Sequence, residues 1–319
     1  MGTKKSWSQA AEPDKEKNYL HRANSGVSLA TVFCRCKQRI SGKSAGAKFC
    51  FFLKIVSLFM TALAVAALLA VILYILLNGV DKITCSLLFG DGSDGPSILP
   101  AMLGTLALIA LSALIAVPVG IGSAIFLVEY TNQKGTFVKF VRLATETLAG
   151  IPSIVYGLFG YLVFVVTFGM GYTLLGGAVT LAIMILPVIV RSTEESLLAV
   201  PKGLREGAYA LGTGKVRTIF RVVLPSCAGG IVSAIILAVG RVISESAVLI
   251  LTVGMVVDKL PNSLLSPGTS LALDIYYFGS HGYPDEAAAT SVILMLLVVC
   301  INLLASAVGK WIARKTKGA

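Results

Sequence analysis

Two charged residues set four apart inside a long apolar run are the part of this sequence best suited to chemistry. Arg241 and Glu245 stand in the passage Gly240-Arg241-Val242-Ile243-Ser244-Glu245-Ser246-Ala247, flanked on both sides by Ile, Leu, Val and Ala. An isolated charge at the centre of a bilayer costs about 2.5–3.5 kcal/mol on insertion scales, so such residues need compensation or a use. On a continuous helix the i, i+4 spacing puts both on one face, where they can pair. Two readings stay open: a structural ion pair, or a guanidinium that meets an oxyanion while the carboxylate holds it. A planar guanidinium suits the second because its fork donates two hydrogen bonds at once. Ser226, Gly230, Ala234 and Ala238 continue broadly along that face as a small-residue stripe, which lets helices approach closely.

Arg191 is a weaker candidate of the same kind, since it ends an apolar run where a basic residue is equally expected from membrane topology. Glu194 and Glu195 read as solvated loop acids, Glu129 and Tyr130 as interfacial anchors, and Tyr156 and Tyr161 as packing residues. His281 has no Cys or His neighbour, and the six cysteines show neither ligand spacing nor a disulfide framework, so no metal site is expected. No nucleophile stands beside a base, so no catalytic residue is expected and the chain does not read as an enzyme.

These residues must be held by membrane helices. The chain of 319 residues is 56% hydrophobic and only 13% charged, against about 25% charged in soluble domains. The reading is an all-α integral membrane protein with six transmembrane helices of roughly 20 residues each. They fall near 55–77, 103–128, 143–168, 175–190, 231–253 and 289–308. Pro118, Pro152 and Pro187 lie inside three of them, which predicts kinked helices whose freed carbonyls find other partners. The net charge of +11 does not point to nucleic acid, because it is distributed by topology. Basic residues crowd the stretch before the first span (Arg35, Lys37, Arg39, Lys43, Lys48), follow the second (Lys134, Lys139, Arg142), run from Arg191 to Arg221, and return at Lys310–Lys317. Acids dominate the other loops: Asp91, Asp94, Asp258, Asp274, Asp285 and Glu286, with Lys82 and Lys259 among them. This alternation predicts both termini inside the cell. Residues 1–50 read as a basic, flexible cytoplasmic extension, 51–312 as the membrane domain and 313–319 as a basic tail, with lipid as the surrounding partner.

One cytoplasmic segment is unlike an ordinary loop. In LREGAYALGTGKVRTIFRVVLP, residues 204–225, a short helix to Leu211 is broken at Gly212-Thr213-Gly214, and a second helix from Lys215 is stopped by Pro225. Glu206-Gly207-Ala208, then Gly212, then Val222, Leu224 and Pro225 resemble the coupling-loop motif of bacterial ABC-importer permeases. Gly207 stands where that family usually has Ala, and Val222 where it usually has Ile. In the family, the first helix of this loop docks on a cytosolic ATPase. Further passages narrow the resemblance. They are Gly104-Thr105, the run Phe126-Leu127-Val128-Glu129-Tyr130, the run from Glu146 to Gly157, the run Leu186–Glu195, and 240–247. Together they resemble the permease subunits of the bacterial high-affinity phosphate ABC importer, nearer the A-type (PstA-like) than its C-type partner, over residues 55–312.

The resemblance implies a type I ABC importer permease fold in the bacterial cytoplasmic membrane, with a coupling loop at 194–225. It implies alternating access driven by ATPase subunits, a second homologous permease subunit and an extracytoplasmic phosphate-binding protein. It also implies a substrate path that includes Arg191, Arg241 and Glu245. The chain binds no cofactor of its own in this reading: Ser41-Gly42-Lys43-Ser44 resembles the end of a P-loop but lacks its first Gly and its strand, so ATP is used by a partner. Two alternatives remain, a permease for another solute (molybdate, sulfate or an amino acid) and an ATPase-independent channel or secondary carrier.

Overall fold

The structure, a computed structural model, describes residues 44–90, 97–257 and 263–317. Most of the expected extension 1–50, including Ser41-Gly42-Lys43, lies outside them, as do Asp91, Asp94, Asp258 and Lys259. Every described element is helical. The chain divides after Val71 into two compact units. In the first, the described part is the body of helix α1 (Ser44–Gly79), which is apolar around its whole circumference. A helix of that kind needs an apolar environment on all sides.

The second unit follows with α2 (Cys85–Phe89) and α3 (Leu99–Ile125), which continues through a π-helical turn at Phe126–Tyr130. Then come α4 (Thr136–Ala149) and α5 (Ser153–Gly160), the latter extended by a π-helical stretch, Tyr161–Thr167. Helix α6 (Leu174–Leu198) starts at Thr173, whose side chain accepts from Gly176 N at 3.1 Å. Helix α7 (Lys202–Ala210) forms the first arm of the loop. The second arm is α8 (Lys215–Thr218), a π turn (Ile219–Val223) and α9 (Leu224–Ile243). The chain ends with α10 (Ala247–Thr252), α11 (Leu271–Ser280) and α12 (Pro284–Lys317).

Five helices among the described residues are long and apolar enough to cross a membrane: Phe51–Lys82, Leu99–Tyr130, Leu174–Leu198, Lys215–Ile243 and Pro284–Gly309. The sixth is a broken pair, and here the expected span 143–168 needs correction. Helices α4 and α5 meet at 97° across Gly150-Ile151-Pro152. Pro152 has no N–H to give, and its ring drives Ile151 away from helical dihedrals, so the helix ends there. Tyr156 repairs part of the break by donating its hydroxyl to the Leu148 carbonyl at 2.8 Å, so it does more than pack. Pro118 and Pro187, by contrast, lie within uninterrupted helices.

The fifth span also differs. It begins at Lys215, not near Ile231, because Pro225 does not stop the helix. The proline ring would collide with the carbonyl of Arg221, and the π turn Ile219–Val223 widens the ladder there. The helix stops later than the loop reading expected and earlier than the span reading did, at Ile243, with Ser244–Ser246 non-helical before α10.

The core packs α3, α6 and α9 side by side. Leu108, Leu181, Met184, Ile185, Ala238 and Val242 belong to one buried cluster with Tyr156 and Leu249. Small residues set the close approaches: a Cβ on Gly120 would come within 2.7 Å of Ile189, and one on Gly230 within 2.3 Å of the Ser196 hydroxyl. Of the expected stripe, Gly230 meets α6 at Ser196, Ala238 shares the buried cluster with α6 residues as Val242 does, Ala234 is buried and Ser226 is exposed. Arg241 lies one position off that line.

Candidate functional site

Arg241 stands in the last turn of α9, partly buried, beside Val242 and Ala238, which pack at the level of Leu181 and Ile185 near the middle of α6. The expected pairing with Glu245 is not formed. Glu245 falls in the non-helical break, so the four-residue spacing no longer corresponds to one helical turn, and its Oε1 instead accepts from Val248 N at 3.4 Å at the start of α10. Among the described residues no ion pair or hydrogen bond engages the Arg241 guanidinium. The Tyr156 hydroxyl lies within electrostatic reach of its charge.

Arg191 is in a different setting. Its Nη1 donates to Glu146 Oε1 of α4 at 2.5 Å and its Nε to Glu195 Oε1 at 3.2 Å, with the side chain 51% exposed. Next to it, Arg142 of α4 donates to Glu194 Oε1 through Nε at 2.7 Å and Nη2 at 2.5 Å, and to Gln133 Oε1. The two arginines and Glu146, Glu194 and Glu195, with Thr145 and Leu198, line an open recess of about 130 Å³. Glu194 is thus not a solvated loop acid. It is buried and paired, whereas Glu195 is exposed as expected. The 97° bend produces this cluster by laying α4 across the end of α6.

The loop 204–225 has a defined shape. Helix α7 ends in a Schellman motif: Gly212 N donates to Tyr209 O at 2.9 Å and Thr213 N to Ala208 O at 3.2 Å. Gly212 takes φ +77°, the left-handed conformation that favours glycine. Thr213 Oγ1 bonds Ala208 O at 2.7 Å and lies 2.8 Å from Thr218 Oγ1, fixing the angle between the two arms. Of the expected coupling residues, Glu206, Gly207 and Gly212 are exposed and Ala208 is buried. Val222, Leu224 and Pro225 are partly buried in the shaft below and support the loop without presenting a surface. Leu204, Tyr209 and Leu211 are exposed, the last at 85%. A clustered apolar surface on a loop otherwise rich in charge is the kind that a protein partner covers.

Sequence reasoning missed one anchor of this loop. Glu129 is not a simple interfacial anchor: its side chain is largely covered and bonded to Arg205 of α7. The two are 76 residues apart, and only their placement at the basic ends of two apolar runs hinted at it.

A bundle of helices carrying buried charge, with a shaped loop between two spans, fits a transport component, and comparison with known proteins bears on which. Residues 116–318 match the family described as binding-protein-dependent transport system inner membrane component, well over half of the chain. The chain belongs to this family. The permease is 34% identical over 274 residues to the probable ABC transporter permease protein YqgI of Bacillus subtilis, covering 80% of this chain and 92% of that protein. It is 35% identical over 223 residues to the phosphate transport system permease protein PstA of Mycobacterium leprae, covering 68% and 72%. Among solved structures, the bacterial alginate ABC transporter in complex with a pentasaccharide-bound periplasmic protein matches with a TM-score of 0.64 at 16% identity, over 84% of this chain and 97% of the other. An inward-facing MetNI methionine ABC transporter matches with a TM-score of 0.57 at 21% identity, over 67% and 95%. These likenesses establish the type I ABC importer permease fold. As a multi-pass membrane permease, the chain is a transport component and not an enzyme.

Proposed function

We propose that this permease is a membrane-spanning subunit of an ATP-driven phosphate importer. The observation that carries the reading is its likeness, across two thirds of the chain, to a permease named for phosphate transport. The chemistry of the bundle supports it. Arg241 offers a positive charge near mid-bundle that no carboxylate neutralises among the described residues, and a guanidinium fork matches phosphate oxygens. Arg191, held by Glu146 and Glu195, is the second cation of the substrate path in this reading.

Energetics favour a driven machine. Moving an anion into a cell against an inside-negative potential costs about 2.3 kcal/mol per charge per 100 mV, and a dianion doubles it before any concentration gradient is added. The exposed face of α7 and its C-cap, with Leu204, Glu206, Tyr209 and Leu211, is the docking surface for an ATPase that hydrolyses the ATP. A related second permease and an extracytoplasmic phosphate-binding protein complete the assembly. Both termini lie in the cytoplasm in this reading, with residues 1–50 and 313–319 flanking the transport unit on the side of the coupling loop.

The test is uptake of radiolabelled phosphate into proteoliposomes holding the assembled transporter, with the binding protein outside and ATP enclosed. ATP-dependent accumulation that excess sulfate or molybdate fails to displace is expected. Accumulation of sulfate or molybdate in preference to phosphate would overturn the substrate; phosphate flux without ATP would overturn the driven mechanism.

A further inference from the structure

Helix α7 is almost entirely exposed. Of Lys202–Ala210, only Arg205 and Ala208 turn toward the protein, so Arg205 is the one long side chain that grips the body. Its guanidinium reaches two other elements. Nε and Nη2 donate to Glu129 Oε1 on the π turn at the end of α3, at 3.0 and 2.9 Å. Nη2 also donates to the Leu197 carbonyl and Nη1 to the Val200 carbonyl, both at 2.9 Å, where α6 runs out. The side chains of Arg205 and Glu129 are 16% and 7% exposed. The next residue of the π turn, Tyr130, holds the second arm: the Lys215 ammonium lies 4.6 Å from its ring centroid.

The π turn that carries both contacts is itself tied down. Thr131 Oγ1 and Gln133 Nε2 both donate to the Leu127 carbonyl, at 2.5 and 2.9 Å, and Gln133 Nε2 also to Val128 O at 3.2 Å. A push on α7 therefore meets no slack at this end of α3. Of the two grips the largely covered pair is the stronger, since the Lys215 contact to an exposed ring is screened by water.

We propose that Glu129 and Arg205 are positioning residues that pass movement of α7 into α3 and α6, so that the docking loop and the transport helices move as one body. The inference rests on the reading of 204–225 as the ATPase-docking loop. A hydrogen-bonded junction among three elements resists sliding as well as separation, and Lys in place of Arg205 cannot serve the carboxylate and both carbonyls in the same planar geometry. Helix α3 then carries the displacement across the bundle through its close contacts at Gly120 with Ile189 and Gly104 with Thr269.

The test uses the whole transporter in proteoliposomes, with ATP hydrolysed and radiolabelled phosphate taken up measured in the same vesicles, and ATPase retention read by co-purification. In Glu129→Ala and Arg205→Lys, ATPase retention and hydrolysis stay near the unmodified level while phosphate moved per ATP falls about tenfold. Glu129→Gln keeps an acceptor in place and falls less. If Glu129→Ala fails to accumulate in the membrane, the ratio in Glu129→Gln and Arg205→Lys decides. A phosphate-per-ATP ratio unchanged in these variants, whether both activities persist or both decline together, overturns the transmission role. Gly212→Val separates the two readings. If it uncouples while the Glu129 and Arg205 variants do not, the docking loop stands and the junction falls. If Gly212→Val is normal, or no ATPase co-purifies with the unmodified chain, both fall.

Discussion

Gly104 of α3 lies so close to Thr269 that a Cβ built on it would sit 2.0 Å from the Thr269 carbonyl oxygen. The neighbouring hydroxyl of Thr105 accepts from Leu271 N at 2.9 Å, at the first turn of α11. Backbone thus meets backbone where α3 begins. The obstacle cannot rotate away, so Gly104→Ala should destabilise the protein by about 1–3 kcal/mol. Gly122 of the same helix has nothing within 4 Å of its own Cβ position, and Gly122→Ala should be neutral or gain about 0.5–1 kcal/mol from helix propensity. Thermal unfolding of both variants in detergent checks the contrast; equal melting temperatures would contradict it.

Arg142 and Glu194 give a second prediction. Arg142→Ala leaves a buried carboxylate without its guanidinium and should cost about 1–3 kcal/mol, once the partial exposure of Arg142 is allowed for. Glu195→Ala removes an exposed partner of Arg191 and should change stability by less than about 0.5 kcal/mol. Chemical denaturation of the purified permease distinguishes them.

For Arg241, the absence of a formed pair with Glu245 among the described residues changes what substitution should do. Arg241→Gln should nearly abolish phosphate uptake with membrane levels preserved, and Arg241→Lys should impair it partly, since the charge remains and the fork is lost. Glu245→Gln should have a small effect, because its Oε1 only accepts from Val248 N and an amide oxygen can do the same. Uptake restored in the double Arg241→Gln, Glu245→Gln variant would show the arginine to be structural.

Orientation can be read with a membrane-impermeant thiol reagent on intact cells. Leu265, exposed in the turn before α11, should be labelled as cysteine from outside, and Lys215 as cysteine should not. Labelling of the Lys215 position alone would invert the topology.

The sequence alone determined the class of protein, where five of its apolar segments run and that the loop at 204–225 turns at Gly212. Apolar length is a property of consecutive residues, and so is the Gly212 turn, whose capping bonds reach only Tyr209 and Ala208. The left-handed Gly212 was therefore readable in advance, as was the close helix approach at Gly230.

What only the tertiary structure decided were the points at which a helix breaks and which charges meet. Three prolines look alike in sequence, yet Pro118 and Pro187 sit in continuous helices while Pro152 turns the chain by 97°. Pro225, read as a stop, is accommodated by a π turn. Whether the carbonyls freed by a proline are satisfied depends on neighbours far away in the chain, and local propensity carries no record of them. The same holds for charge. The nearby pair Arg241 and Glu245 is separated by a helix break, while Arg205 with Glu129 and Arg142 with Glu194 are joined across 76 and 52 residues. Ion pairing depends on distance in space and on burial, and packing sets both.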